Sequence, residues 1–551
     1  MILGIDIGGT HTDAVCVDHS GIRASAKAIT GDDLITSIAG VIRQLDVSYP
    51  DVSRVVLSTT LSTNAIIEKK YAPTGMIVSA GPGIDPRHYF INGDFHLVKG
   101  AIDHRGREYI PLDRKEVIDV ASTLKGKGIR GVGVVSKFSV RNSSHEAVIS
   151  SLIEKDFQYI SLGHAMSGNL AFPRRIYTTY FNAAVMPVQE RFMGSVRTAL
   201  AELGIHAPLL FLKADGGTYS SAAADRLPVE TILSGPAASI MGAVALCSKR
   251  DATTLVLDVG GTTTDIGVLV GGVPILEPHG VDIGGLKTLV RGLKVVSVGA
   301  GGDSAVCLDD GSIRVGPNRE GPPLCMGGPV PTPMDAFSVL GEFGTGSPEN
   351  ARRSIQALSD ALGRGSEDVA RDIISSMVGN IRTASDAFLD EINSHPVYTI
   401  YEMLHPDVVK PSQVILIGGP ASLLKPYIEE AFGLPCMVPE HAMVANALGA
   451  ALAKTTAQLT LLADTQLRRL ICPELDIEEE IPSRLTLEDL KEIGQRALKE
   501  NAEFLGLSDS FEVSILEEQS FNMVRGFSTT GKNLRLKLQT RPGILDEWRI
   551  Q

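Results

Sequence analysis

One eight-residue pattern occurs twice in the chain, as Asp6-Ile7-Gly8-Gly9-Thr10-His11-Thr12-Asp13 and as Asp258-Val259-Gly260-Gly261-Thr262-Thr263-Thr264-Asp265. Each copy follows an apolar run (residues 1–5; 255–257) and precedes another (14–17; 266–270), which reads as strand, tight glycine turn, strand. Paired glycines open backbone geometries closed to other residues and let the chain pass close to a ligand. The turn amides and Thr hydroxyls then converge on one spot, an arrangement suited to phosphate oxygens. The carboxylates at the ends of each copy repel phosphate unless a divalent cation lies between them, so the pattern implies Mg²⁺ together with a nucleotide. A single Asp-x-Gly-Gly turn is ordinary turn chemistry. Two copies, each ending a strand, are not.

At 551 residues the chain has room for about two to four domains. Its net charge of −13, with no basic segment to offset it, argues against a general nucleic-acid binder. No apolar run approaches the length of a membrane span. The first residues already belong to a predicted strand, so a signal peptide is not expected. The six cysteines (16, 247, 307, 325, 436 and 472) form no C-x-x-C pair, which suits a cytoplasmic protein and argues against a thiolate metal site.

After the first hairpin, strand and helix signals alternate. Strands are expected at 22–29, 54–57, 75–79 and 131–135. Helices are expected from Thr30-Gly31-Asp32-Asp33 to Leu45, at 61–69 and at 112–124, giving a mainly parallel α/β region. Residues 81–106 read as a long loop. Its His88, His96 and His104 lie among Asp85, Asp94 and Asp103, but the spacing matches no standard metal site, so solvated residues are favoured over ligands. A long helix is expected at 182–203, with Pro187 near its first turns, and a strand at 209–213. Ser234-Gly235-Pro236-Ala237-Ala238 opens a helix of small residues. Beyond the second hairpin, a strand at 295–302 ends in Gly301-Gly302-Asp303, and residues 314–333 read as a loop or lid. Polar helices fill 348–393, a buried strand at 414–417 turns through Gly418-Gly419-Pro420, and 442–453 is a second small-residue helix. From about 458 the composition changes. Glu478-Glu479-Glu480 and Pro482 read as a solvated linker, Thr486-x-x-Asp489 as a helix cap, and 511–516 and 534–538 as strands of a small α+β appendage.

Taken in order, these signals resemble the actin, hexokinase and heat-shock chaperone ATPase superfamily. The resemblance implies a two-lobed, actin-like α/β ATPase with ribonuclease H-like lobes at 1–234 and 235–457. The 442–455 helix closes the hinge, and 458–551 form an appendage expected to be dispensable for nucleotide binding. It assigns Gly8, Gly9, Thr10, His11 and Thr12 to the first phosphate motif, and Gly260, Gly261, Thr262 and Thr263 to the second. Residues 234–242 and 445–450 resemble the two hinge helices. Gly418, Gly419 and Pro420 resemble the adenosine motif, with Gly419 leaving room for the base, while Gly301, Gly302 and Asp303 face the nucleotide. Asp6 and Asp258 would hold Mg²⁺, and Asp13 or Asp265 would orient water or the acceptor.

Longer strings narrow the resemblance: Leu61-Ser62-Thr63-Asn64-Ala65, Ala101-Ile102-Asp103-His104-Arg105-Gly106, Leu233-Ser234-Gly235-Pro236-Ala237-Ala238 and Val298-Gly299-Ala300-Gly301-Gly302-Asp303-Ser304. Together they resemble the hydantoinase/oxoprolinase family, whose ATP-dependent subunits act on cyclic amides. This implies an ATP-dependent amidohydrolase that activates a cyclic amide carbonyl by phosphorylation, works with a second hydantoinase-type subunit and forms an oligomer. The chain departs from the family at Leu57-Ser58-Thr59-Thr60, at Asp303 and at Asn318-Arg319-Glu320, outside both hairpins. A small-molecule kinase and an ATP-driven reactivating factor for a partner enzyme remain open on the same scaffold.

Overall fold

The computed structural model describes residues 1–31, 33–247, 251–277, 279–394, 408–507 and 511–545. Asp32 of the expected first helix start lies outside them. The helix itself, Leu34–Arg43, is capped by the Asp33 carboxylate, which accepts from the Ile35 amide.

Two six-stranded sheets share one plan. In the first, Ile2–Ile7 pairs antiparallel with His11–Asp18 and parallel with Arg54–Thr59, which is followed by Leu209–Leu212. In the second, Thr254–Val259 pairs antiparallel with Thr264–Val270 and parallel with Gln413–Ile417. The central strands Ile2–Ile7 and Arg54–Thr59 are buried nearly throughout, as expected of strands covered on both faces. Each of the two motif copies is therefore a hairpin at the centre of its own sheet. The registers match as well: Asp6 stands opposite Asp13, and Asp258 opposite Asp265.

A four-stranded parallel sheet (Tyr159–Leu162, Gly131–Ser136, Thr74–Ser79, Phe95–Leu97) is inserted between Arg54–Thr59 and Leu209–Leu212. The segment 81–106 is thus not all loop, since Phe95–Leu97 extends this sheet. The long helix starts at Phe172 and not at Asn182, so Pro187 falls inside it. Residues on every side of this helix are buried, which erases the one-sided periodicity by which helices are read.

The C-terminal sheet is wholly antiparallel: Ile477–Glu480, Arg469–Cys472, Gln458–Asp464, Ser528–Thr540, Val513–Arg525. Residues 478–480 are its edge strand and not a linker, with Glu478 and Glu480 ion-paired to Arg469 and Arg468. Helix Leu487–Glu500 opens with the expected Thr486/Asp489 capping box and buries Leu490, Ala497 and Leu498. This sheet is stitched to the rest of the molecule. Lys454 N donates to Gly543 O and Leu545 N to Leu452 O, while Ile544 enters the same core as Ile2, Ala447 and Ala450.

The small-residue helices are Ser234–Leu246 and Ala445–Leu452, the latter shorter than expected because 442–444 form a 3₁₀ turn. They cross in close contact. A Cβ on Gly242 would lie 2.2 Å from Ala445 O, one on Gly449 2.2 Å from Ala238 O, and one on Gly4 2.2 Å from Ala447 O. Any larger side chain at these positions would force the backbones apart.

Candidate nucleotide and metal site

The first turn is closed by Gly8 N donating to His11 O at 3.0 Å and braced by Thr30, whose hydroxyl donates to Gly8 O. Thr12 is fully buried and its hydroxyl meets that of Thr30 at 2.9 Å, so it helps to hold the turn together. The second turn repeats the closure, Gly260 N to Thr263 O at 2.9 Å, and Thr264 Oγ1 donates to Ala300 O. Gly9, Thr10, Gly261 and Thr262 remain accessible at the two tips.

The acids of the two hairpins lie in one electrostatic neighbourhood. Burial, then the charges of Asp13 and Asp258, push the Asp6 carboxyl up to about 7. Its Oδ1 is buried without a hydrogen-bond partner. Asp258 is held by the two crossing helices: its Oδ2 accepts from Ser239 Oγ at 2.5 Å and from Asn446 Nδ2 at 3.2 Å, one residue from each. Asp13 is ion-paired to Lys27 at 2.7 Å. Asp265 accepts from Ser297, and burial with Asp258's charge raises it to about 7.

A divalent cation fits this arrangement, because it would satisfy the orphaned Asp6 oxygen and relieve the crowding of acids. Among the described residues no group of three His, Cys, Asp or Glu could hold a metal ion. An ion here would therefore take one or two carboxylates and draw its other ligands from water and phosphate, the habit of Mg²⁺. The loop acids expected to be solvated are used locally: Asp85 pairs with Arg87, Asp94 with Lys127, and Asp103 accepts from backbone amides.

Gly301, Gly302 and Asp303 lie along the second turn, with Gly302 N donating to Gly260 O and Asp303 N to Gly261 O. The Asp303 carboxylate stands over Gly261 and is ion-paired to Arg319 at 3.3 Å. His11 lies on the facing tip with its surface accessible, yet partial desolvation of the ring, then the Lys27 charge, lowers its pKa while Asp13 and then Asp303 oppose that shift. Pro420 packs beside Gly302, which brings the third glycine turn to the same place. Within that turn the constrained residue is Gly418, not Gly419. Gly418 has φ +97° and a Cβ there would meet Val259 O at 2.2 Å and Asp258 Oδ1 at 2.7 Å, whereas Gly419 faces open space. Two strings that carry the family resemblance also touch, with Leu233 N donating to Thr63 Oγ1 at 2.8 Å and Thr231 Oγ1 to Ser62 Oγ at 3.0 Å.

Lys27, Arg319, Ser239 and Asn446 were not singled out as site residues from the sequence. Asn446 carried a signal, as the polar residue within an otherwise small and apolar helix. Lys27 and Arg319 carried none, because their partners are distant in sequence or in another element.

Residues 2–157 match the hydantoinase/oxoprolinase N-terminal region, and residues 175–459 match the hydantoinase/oxoprolinase family. The caprolactamase subunit alpha of Pseudomonas jessenii is 27% identical over 435 residues, 70% of this chain; the chain spans 62% of that relative's length. The structure of the ATP-dependent caprolactamase from Pseudomonas jessenii superimposes with a TM-score of 0.71 at 21% identity, covering all of this chain and 88% of that one. A nucleotide-free acetone carboxylase structure superimposes with a TM-score of 0.73 at 19% identity, with the same coverage. These likenesses establish the two-lobed fold, and the matched residues establish the kinship: the chain belongs to the hydantoinase/oxoprolinase family.

Proposed function

We propose that the chain is the ATP-using component of a cyclic-amide hydrolase. The observation that carries this reading is the pair of matched hairpins, in which the charge of Asp258 helps to push up the Asp6 carboxyl and an Asp6 oxygen is buried without a partner. We assign residues 1–234 and 235–457 to the two ATPase lobes and 458–551 to an appendage packed on the first. Gly8 to Thr10 and Gly260 to Thr262 would cradle the phosphates through amides and hydroxyls, with Gly418 to Pro420 and Gly302 beside the adenosine. Asp6 and Asp258 would hold Mg²⁺, which neutralises the triphosphate when bound.

Amide carbonyls are poor electrophiles. In the proposed reaction the carbonyl oxygen attacks the γ-phosphorus of ATP and ADP leaves. Water adds to the activated carbon, the C–N bond breaks with a proton passing to nitrogen, and a second water releases phosphate from the resulting acyl phosphate. Asp13, ion-paired to Lys27, or Asp265 would orient the acceptor or water. The named relative is a subunit, and a second subunit completing hydrolysis is part of the proposal. No helix among the described residues is long and apolar enough to cross a membrane, and the free cysteines are compatible with a reducing cytoplasm.

Incubation of the purified chain with Mg²⁺-ATP and a panel of lactams and hydantoins, with and without a candidate second subunit, tests the reading. Amide-dependent ADP release accompanied by a ring-opened product supports it. A stable phosphorylated product identifies a kinase instead, and ATP hydrolysis indifferent to every amide points to a conformational factor.

A further inference from the structure

A cavity of about 300 Å³ lies where the 103–106 turn and Arg141 of the first lobe meet the C-terminal sheet, and no hairpin residue lines it. Its apolar lining is Leu462, Leu467, Ile471 and Met523, and its polar lining is Arg105, Arg141 and Arg469 with His104, Asn533 and one carboxylate, Asp464. Two of these guanidinium groups, and that of a neighbouring arginine outside the lining, have donors unspent. The Nε atoms of Arg141, Arg469 and the neighbouring Arg535 are all buried without a hydrogen-bond partner. Arg469 is partly compensated by Glu478 at 2.6 Å, and Arg535 by Glu517 at 3.5 Å. Among the described residues Arg141 makes no side-chain hydrogen bond or ion pair of its own. Burial and the charge of Arg535 push its pKa down, and Asp464 alone opposes them. That acid is already engaged, because its Oδ1 accepts from the Gln466 and Leu467 amides.

Half-buried cations crowded together with unsatisfied donors are costly unless an anion joins them, and guanidinium forks are shaped for carboxylate and phosphate oxygens. We propose that this cavity binds a small oxyanion, a carboxylate or a phosphate, that carries a short apolar portion and bridges the first lobe to the C-terminal sheet. The charged groups would hold the oxyanion, and Leu462, Ile471 and Met523 would cover the apolar part. The proposal does not depend on the ATP site.

Calorimetric titration of the full chain tests it, with Mg²⁺ and a non-hydrolysable ATP analogue at saturation so that the hairpins are filled. Inorganic phosphate and butyrate are titrated separately, with chloride as control. One of the two oxyanions should bind saturably. Arg141→Met and Arg105→Met should each weaken that binding by about tenfold or more while leaving analogue binding unchanged. Phosphate binding identifies a phosphate-type ligand, and butyrate binding a carboxylate-type one. Arg105 is exposed, so its variant keeps the test decisive even if Arg141→Met fails to fold. Binding of neither anion, or binding that both variants retain, overturns the proposal.

Discussion

Replacing Gly418 with Ala isolates the third glycine turn from everything else in the molecule. At φ +97° an L side chain is strained by about 1–2 kcal/mol. The added Cβ would also sit 2.2 Å from Val259 O, a backbone atom that can retreat only by moving the strand bearing Asp258. Overpacking of that kind costs about 1–3 kcal/mol. A total of about 2–5 kcal/mol, if it falls on the nucleotide-bound arrangement, weakens ATP-analogue binding by about 30- to 4,000-fold. The neighbouring change, Gly419→Ala, meets nothing within 4 Å and should leave the melting temperature near wild type. Calorimetric affinities and melting temperatures of the two variants, measured side by side, give the contrast. Wild-type affinity and stability in Gly418→Ala, or an equal loss of stability from both changes, would refute the assignment of this turn.

Asp258→Asn should reduce ATP turnover by about 100-fold or more while the melting temperature stays close to wild type, because an amide can still meet Ser239 and Asn446; unchanged turnover sinks the metal assignment. His164 ties Glu146 to Asp476 of the C-terminal sheet at 2.6 and 3.1 Å. Burial pushes its pKa down, but the bonds to Asp476 and Glu146 outweigh burial and hold it at about 9. Since that lies above the ordinary 6.5, its contribution of about 3 kcal/mol is full below pH 6.5 and is lost as pH rises through 9. The melting temperature should therefore fall between those values in the wild type and fall less in His164→Gln; parallel pH profiles would contradict this. Truncation after Thr460 removes Ile544 from the hinge core and strips partners from Leu459, so the shortened chain should be insoluble or melt far lower. A soluble truncation with normal nucleotide binding would show that the appendage is separable after all.

The features legible in the sequence were those encoded locally. The hairpins could be read because Asp, Gly-Gly and Thr are fixed by one turn, and the hinge helices because close crossing demands small residues throughout. Edges and ends were less visible. Residues 478–480 looked like a charged linker because the arginines that make them a strand, Arg468 and Arg469, lie on the preceding turn and strand. The start of the long helix was masked by residues 177–181, Tyr-Thr-Thr-Tyr-Phe, which favour strands in isolation and are helical here through burial on all sides. The choice between Gly418 and Gly419 depended on a backbone angle and on the approach of Val259, neither of which neighbouring residues reveal. The stitching of residues 543–545 to 452–454 is a long-range pairing that no local pattern announces.

The most direct measurement is a crystal structure of the full chain with a non-hydrolysable ATP analogue and Mn²⁺, collected at the manganese edge. If one nucleotide is shared by the two hairpins, the triphosphate spans the Gly8–Thr10 and Gly260–Thr262 turns, and a single anomalous peak lies between the Asp6 and Asp258 carboxylates. A nucleotide bound to one lobe alone, or a peak at His88, His96 or His104 instead, would contradict it.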